Sequence, residues 1–287
     1  IKNLSLKNVK VRLSIDWFEG HSVDKMWNLA MYNYFPSTKR IAYETFRSFP
    51  YYLSTYPIPI ERESHTIPDI FAVQGPACVE GIKEFLPDLE VISVPAFKNQ
   101  HVWNDQNTMI KNTNIILVAF PISLHTSVDM LESLIENSKK NNSLKASYIL
   151  KPHPVNSIKD IESKLTVDLP SCFKFSSKES FPVLLSESSI LITEASSVCL
   201  ESFAVGKPVI IIQSSSGLTY DPVPSDIPSE LFKKCNTSED ISAALNSFLM
   251  LNKEQLTKNM HSGKQIRNNY FERVTEEGIN RFLDINK

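Results

Sequence analysis

Short β-branched runs recur along this chain, separated by stretches whose apolar residues fall at helical spacing, and no other feature limits the possible folds so sharply. Parallel strands need a long crossover between them, usually a helix, so this alternation specifies βαβ units around parallel sheets. Strands are expected near Val9–Ile15, Arg40–Tyr43, Asp69–Val73 and Glu90–Val94, then at Asn114–Phe120, Ser147–Leu150, Ser189–Thr193 and Pro208–Ile212. Val23, Met26, Trp27, Ala30, Met31 and Tyr34 share one helical face and predict an amphipathic helix over Ser22–Tyr34. Further helices are expected near Ser127–Lys139, Ile158–Leu165, Phe181–Glu187, Ser197–Val205 and Ser238–Leu251. The polar, Asn-rich stretch Lys98–Thr113 separates the two sets of strands and reads as a linker. The expectation is therefore α/β: two Rossmann-like halves facing a cleft, residues 1–105 and 113–252, with helices in 253–287 packing back. A long Pro/Ser loop, Ser214–Ser229, is expected to border that cleft.

Composition then narrows the chemistry. Lys plus Arg number 30 against 32 Asp plus Glu, a formal charge of -2, so neither nucleic acid nor a polybasic membrane contact is expected as the main partner. Any anionic ligand must be held locally. Only 7 glycines stand against 17 prolines, and neither a G-x-G-x-x-G string nor a Walker A string occurs, so the usual dinucleotide and P-loop readings fall. Cys78, Cys172, Cys199 and Cys235 lie in or beside apolar runs with no C-x-x-C pair, and read as reduced residues of a cytosolic protein. No uncharged apolar run reaches the roughly 18 residues of a membrane span, and no signal peptide opens the chain. A soluble, cytoplasmic protein is expected, and the start at Ile1 in place of Met reads as an excised piece.

Three segments carry candidate chemistry, each at the carboxyl end of an expected strand. Lys151-Pro152-His153-Pro154 succeeds an apolar strand directly, at the edge where open α/β sheets bind ligands. Two prolines fix the backbone around His153, so its imidazole could be held rigidly toward a phosphate with Lys151 nearby; a structural turn is the alternative. Ser196 and Ser197 fall between a strand and a helix, where free N–H groups attract phosphate and where serines also serve as ordinary N-caps. Glu201, four residues after Ser197, shares its helix face and could accept from ribose hydroxyls. The third segment, Ile15 to Lys25, holds three carboxylates, Asp16, Glu19 and Asp24, and His21 as candidates for a base or nucleophile; Glu19 stands out, since the Gly20 after it permits a ligand to approach the backbone closely. Asp24 either binds substrate or complements the helix dipole. His125 either contacts a ligand or caps a helix near Ser123–Ser127. The aromatic segment Phe46–Tyr56 reads as core or interface, and His65, His101 and His261 show no metal-ligand spacing, so no metal is expected.

Together these segments resemble bacterial glycosyltransferases of the GT-B type that build surface polysaccharides. Lys151-Pro152-His153-Pro154 followed by Ser196-Ser197 is similar to the His-Pro and Ser-Ser motifs of bacterial sialyltransferases and Kdo transferases, which contact the phosphate and cytidine of a CMP-sugar. Trp17-Phe18-Glu19-Gly20, Asp24 to Asn28 and Pro68 to Pro76 are similar to a family of surface-carbohydrate proteins that includes β-Kdo transferases. The resemblance spans roughly Ile15 to Pro208. Sialyltransferases place an acidic pair before Gly, whereas Phe18-Glu19-Gly20 matches only the second acid, so Glu19 alone carries over, and whether the enzyme retains or inverts stays open.

The resemblance implies a cytoplasmic, metal-independent enzyme that uses no cofactor beyond a CMP-sugar donor substrate. It would move Kdo, or a sialic-type sugar, to a glycan acceptor in lipopolysaccharide or capsule synthesis. Glu19 and His153 would be catalytic, and Lys151, His153, Ser196, Ser197, Glu201, Asp24 and His125 would bind substrate. Its partners would be the donor and the glycan acceptor, with no nucleic acid, and it would sit peripheral to the inner membrane through a lipid-linked acceptor or partner domains. The alternatives are a CDP-glycerol or ribitol type polyol-phosphate transferase and a non-catalytic nucleotide- or glycan-binding module of a larger enzyme.

Overall fold

A computed structural model describes residues 1–45, 49, 52–104, 113–140, 146–214, 217 and 220–283. The chain forms two compact units, Ile1–Gln100 with Asn268–Lys287, and His101–Arg267.

The first unit runs α1 (Lys2–Leu6), β1 (Leu13–Trp17), α2 (Ser22–Tyr34), β2 (Lys39–Glu44), α3 (Pro59–Glu63), β3 (Ile70–Val73), α4 (Val79–Ile82) and β4 (Glu90–Ser93). Its four strands are all parallel in the order β1-β2-β3-β4, with Asp16 opposite Ala42 and Glu44 opposite Val73. The alternation in β2 and β3 sends Ile41, Tyr43, Ile70 and Ala72 to one face, where they pack with Val94 and Phe282. The expected helix α2 is present, but much of its apolar stripe faces outward: Val23, Met26 and Trp27 are exposed, while Met31 and the wholly buried Asn28 face inward. The inward face is polar because Asn28 Nδ2 donates to Asp16 Oδ2 and to the Asp24 carbonyl, and buried Arg40 donates to the Asn28 carbonyl and pairs with Asp69 at 2.6 Å. These hydrogen bonds and the buried Met31 side chain together dock this helix.

The second unit holds β5 (Ile115–Ala119), α5 (Leu124–Lys140), β6 (Ser147–Lys151), α6 (Ile158–Glu162), β7 (Phe173–Phe175), α7 (Phe181–Glu187), β8 (Ile190–Thr193), α8 (Val198–Ala204), β9 (Val209–Ile212), β10 (Phe232–Cys235), α9 (Ser238–Leu249) and α10 (Lys253–Tyr270). The last helix, α11 (Glu276–Leu283), belongs to the first unit. Six parallel strands lie in the order β10-β9-β8-β5-β6-β7. Ile116, Val118, Tyr148, Leu150, Ile190, Ile192 and Ile210 meet Leu131, Leu134, Ile135 and Leu245 of α5 and α9 in one continuous core. The short strands β7 and β10 escape the sequence reading because three or four residues carry too little periodicity. Two parallel-sheet α/β units of this kind match the expected fold class.

Of the other expectations, the supposed linker carries a 3-10 helix, Phe97–Trp103, while residues 105–112 lie outside the described residues. So do parts of Phe46–Tyr56 and of Ser214–Ser229. None of the four cysteines is in a disulfide among the described residues, and burial pushes the thiol of Cys199 up to about 12 and that of Cys235 up to about 11, which leaves these two protonated and unreactive.

Candidate functional site

The strand order of the second unit fixes where a ligand can sit. From β5 the chain first moves to β6 and β7 on one side, then returns to β8, β9 and β10 on the other. The connections leaving β5 and β8 therefore diverge and open a crevice at the carboxyl edge of the sheet. The segment after β8 begins Glu194-Ala195-Ser196-Ser197, and that after β6 is Pro152-His153-Pro154.

His153 sits in a turn closed by Asn156 N–H donating to its carbonyl at 2.9 Å, and Asn156 Nδ2 ties that turn to the Ile122 carbonyl after β5. Val155 N–H donates to His153 Nδ1 at 3.3 Å, so the imidazole proton resides on Nε2. Burial lowers the His153 pKa, which keeps the ring neutral near pH 7. The result is a fixed, neutral N–H donor rather than a cation. Lys151 does not join it: its Nζ donates to the Glu179 carbonyl at 2.7 Å.

Ser197 occupies the residue before α8 with helical φ/ψ and makes no side-chain cap bond. An N-cap normally has extended φ/ψ so that its oxygen can reach back, so the capping role open to Ser197 in the sequence is not used. Ser196 Oγ lies 3.5 Å from Val198 N, at the limit of a hydrogen bond. Glu201 departs from expectation. It is buried, and its Oε2 lies 2.8 Å from His101 Nε2, so the carboxylate is engaged within the unit instead of presented to a ribose. His125 projects from α5 into solvent and pairs with Asp129 one turn on at 3.1 Å, while Ser123 Oγ accepts from Thr126 N–H and serves the helix start.

One residue passed over in the sequence belongs here. Glu194, at the end of β8, is half-buried, with a carboxyl raised by that burial. It lines a cleft of about 160 Å³ with Thr126 and Asp129 of α5, Ser214 after β9, and Thr237 and Ile241 at the start of α9. Its position directly after an apolar strand was the available signal.

In the first unit, Trp17 Nε1 donates to Glu19 Oε1 at 2.9 Å, and His21 Nε2 lies 3.3 Å from Glu19 Oε2. Asp24 Oδ2 accepts from the backbone N–H groups of Glu19 and His21, both at 3.0 Å. Asp24 therefore shapes the turn that holds Glu19 and has no oxygen-first approach to a substrate through Oδ2. Gly20 has φ +75, and a Cβ there would run into the Ser54 carbonyl. The close approach this glycine permits is thus by the chain's own backbone, not by a ligand. Asp16, the third carboxylate of this segment, is the perturbed one: burial first, and the charge of Asp24, raise its pKa to about 6 against the bond from Asn28, and its Oδ1 is buried without a partner.

Among the described residues, no group of three His, Cys, Asp or Glu side chains is placed to hold a metal ion, and no helix is long and apolar enough to cross a membrane.

The class defined by these two parallel-sheet units is the GT-B type of α/β fold. No family model matches the chain, and no curated protein sequence matches it. Solved structures do. The chain is similar to MnaA of S. aureus in complex with UDP, at 12% identity over 99% of this chain and 77% of that one, with a TM-score of 0.61. It is similar to the UDP-GlcNAc 2-epimerase of Neisseria meningitidis bound to UDP-GlcNAc, at 15% identity over 99% and 79%, with a TM-score of 0.60. MurG of Acinetobacter baumannii aligns at 12% identity over 99% and 75%, with a TM-score of 0.56. At such identities the likeness establishes the fold alone.

Proposed function

We propose that this protein is a nucleotide-sugar-dependent glycosyltransferase of bacterial surface-glycan synthesis, with the donor's phosphate at the carboxyl edge of the second unit. The observation that carries this reading is the turn after β6 that holds His153: Asn156 ties it to the Ile122 carbonyl after β5, and Val155 N–H donates to Nδ1, which leaves a neutral ring its Nε2–H to donate. A donor of that kind meets a phosphate oxygen without needing glycine-rich backbone, which this chain lacks. Ser196 and the uncapped Ser197 hydroxyl supply further donors. As the sugar departs, charge builds on the leaving phosphate, and His153 stabilises it; Glu19, in the first unit, is the carboxylate proposed to serve the acceptor.

For the donor we favour a CMP-linked 2-keto sugar acid, Kdo before a sialic-type sugar, on the strength of the Lys151–Pro154 and Ser196-Ser197 motifs. A UDP-sugar is the second reading, supported by the UDP and UDP-GlcNAc held by two proteins of the same fold. A screen of CMP, CDP and UDP by melting temperature separates these, since a ligand of the folded state stabilises by mass action. Transfer assays with CMP-Kdo, CMP-sialic acid, UDP-GlcNAc and CDP-glycerol then identify the reaction. His153→Ala should lower turnover about 10²-fold or more; near-normal turnover would refute the assignment. We further propose that transfer needs no metal, so that EDTA leaves turnover unchanged; activity lost to EDTA and restored by Mg²⁺ would count against it.

A further inference from the structure

We infer that Trp17 and Lys98 form the seat of an anionic pyranose in the first unit, the acceptor residue laid beside Glu19. Trp17 ends the edge strand β1 and leaves 50% of its surface exposed, unusual for a tryptophan on a packed sheet. Yet the ring does not swing freely. Its Nε1–H is spent on Glu19 Oε1 at 2.9 Å, and its ring meets Tyr43 edge to face at 6.2 Å. Tyr43 is anchored in turn, its hydroxyl donating to the Pro95 carbonyl at 3.0 Å and accepting from Phe97 N–H at 3.1 Å. An aromatic ring fixed from two sides and open to solvent is a preorganised stacking platform, which lowers the ordering cost of binding.

The charges around the ring select the ligand. Lys98 Nζ lies 5.9 Å from the Trp17 ring centroid, and among the described residues no carboxylate pairs with this exposed lysine. On the opposite chemical side, Glu19 accepts from the indole and holds Oε2 near His21. A pyranose stacked on the indole would thus meet an ammonium able to take a carboxylate or phosphate, and a carboxylate able to accept from a sugar hydroxyl. A neutral sugar uses only half of this arrangement. The acceptor role rests on the glycosyltransferase reading above; the binding itself does not.

The test titrates the full chain with methyl β-D-glucuronide, glucose 6-phosphate and methyl β-D-glucoside, read by tryptophan fluorescence and by saturation-transfer NMR. Both anionic sugars, or whichever of carboxylate and phosphate the site prefers, should bind at least tenfold more tightly than the neutral glucoside. Lys98→Gln should erase that preference, and Trp17→Ala should abolish the NMR signal while the melting temperature shift with nucleotide persists. Equal binding of all three sugars, binding by none, or an anion preference that survives Lys98→Gln would overturn the inference. Nucleotide stabilisation without sugar binding defeats this inference alone; sugar binding with no response to CMP, CDP or UDP defeats the donor-site reading instead.

Discussion

Replacing Asp16 by Asn should stabilise the first unit at neutral pH and have little effect at pH 4. The Asp16 carboxyl is raised from its ordinary 3.8 to about 6, chiefly by burial, with the charge of Asp24 adding and the Asn28 hydrogen bond opposing. A group that binds its proton more tightly when folded costs stability as pH rises between the unfolded and folded values, here from about 4 to about 6, and the full cost persists above. That displacement corresponds to about 3 kcal/mol. An amide removes the charge and keeps an oxygen for Asn28 Nδ2, and its own N–H₂ can supply the donor that buried Asn28 Oδ1 lacks. Urea denaturation at pH 4, 5, 6 and 7 measures the difference. The variant should gain about 2–3 kcal/mol at pH 7 and converge on the parent near pH 4. Glu44, fully buried at the end of β2 and raised well above its ordinary value, pushes the parent in the same direction, but it is common to both proteins and cancels in the comparison. A gain independent of pH, or a loss at pH 7, would refute the burial explanation.

Other consequences concern a buried lysine and a glycine of the second unit, and a glycine of the first. Lys207 is 1% exposed, and its Nζ donates to the Ser188 carbonyl at 2.6 Å and to the Leu185 carbonyl, closing the end of α7. Lys207→Met should cost about 2–4 kcal/mol by leaving these carbonyls unmet, and unchanged urea stability would show that the cation is dispensable. Gly263 of α10 faces Gly206, where an added Cβ would stand 2.5 Å from Gly206 N. Gly263→Ala should therefore cost about 1–3 kcal/mol, whereas Gly81→Ala, with open space around it, should gain about 0.5–1 kcal/mol; thermal melts of the pair decide whether backbone contact sets the difference.

How far the sequence foretold the molecule depends on the kind of signal. Strands such as Ile190–Thr193 and Val209–Ile212 are buried on both faces and read as continuous apolar runs, so their places were legible. The helix Ser22–Tyr34 was found to the residue, but its orientation was not. Periodicity tells which residues share a face and assumes that the apolar one is buried; Asn28, Asp16 and Arg40 reverse that through a polar network that no spacing rule encodes. The same limit hid the partner of Glu201. His101 lies a hundred positions away, and only the tertiary fold brings its ring to 2.8 Å. The strand-end positions of His153, Ser196 and Ser197 were legible because topology places ligand loops there, whereas the diversion of Lys151 to the Glu179 carbonyl depends on a loop with no sequence signature.

The central claim is that a nucleotide phosphate is held at the carboxyl edge of the second unit by the Nε2–H of His153. Calorimetric titration of CMP, CDP and UDP into the parent chain and into His153→Ala tests it most directly. At least one nucleotide should bind the parent, and the substitution should weaken it about tenfold or more, the loss expected for one hydrogen bond to a charged group. Binding of equal strength in the two proteins, or none to the parent, would contradict the account.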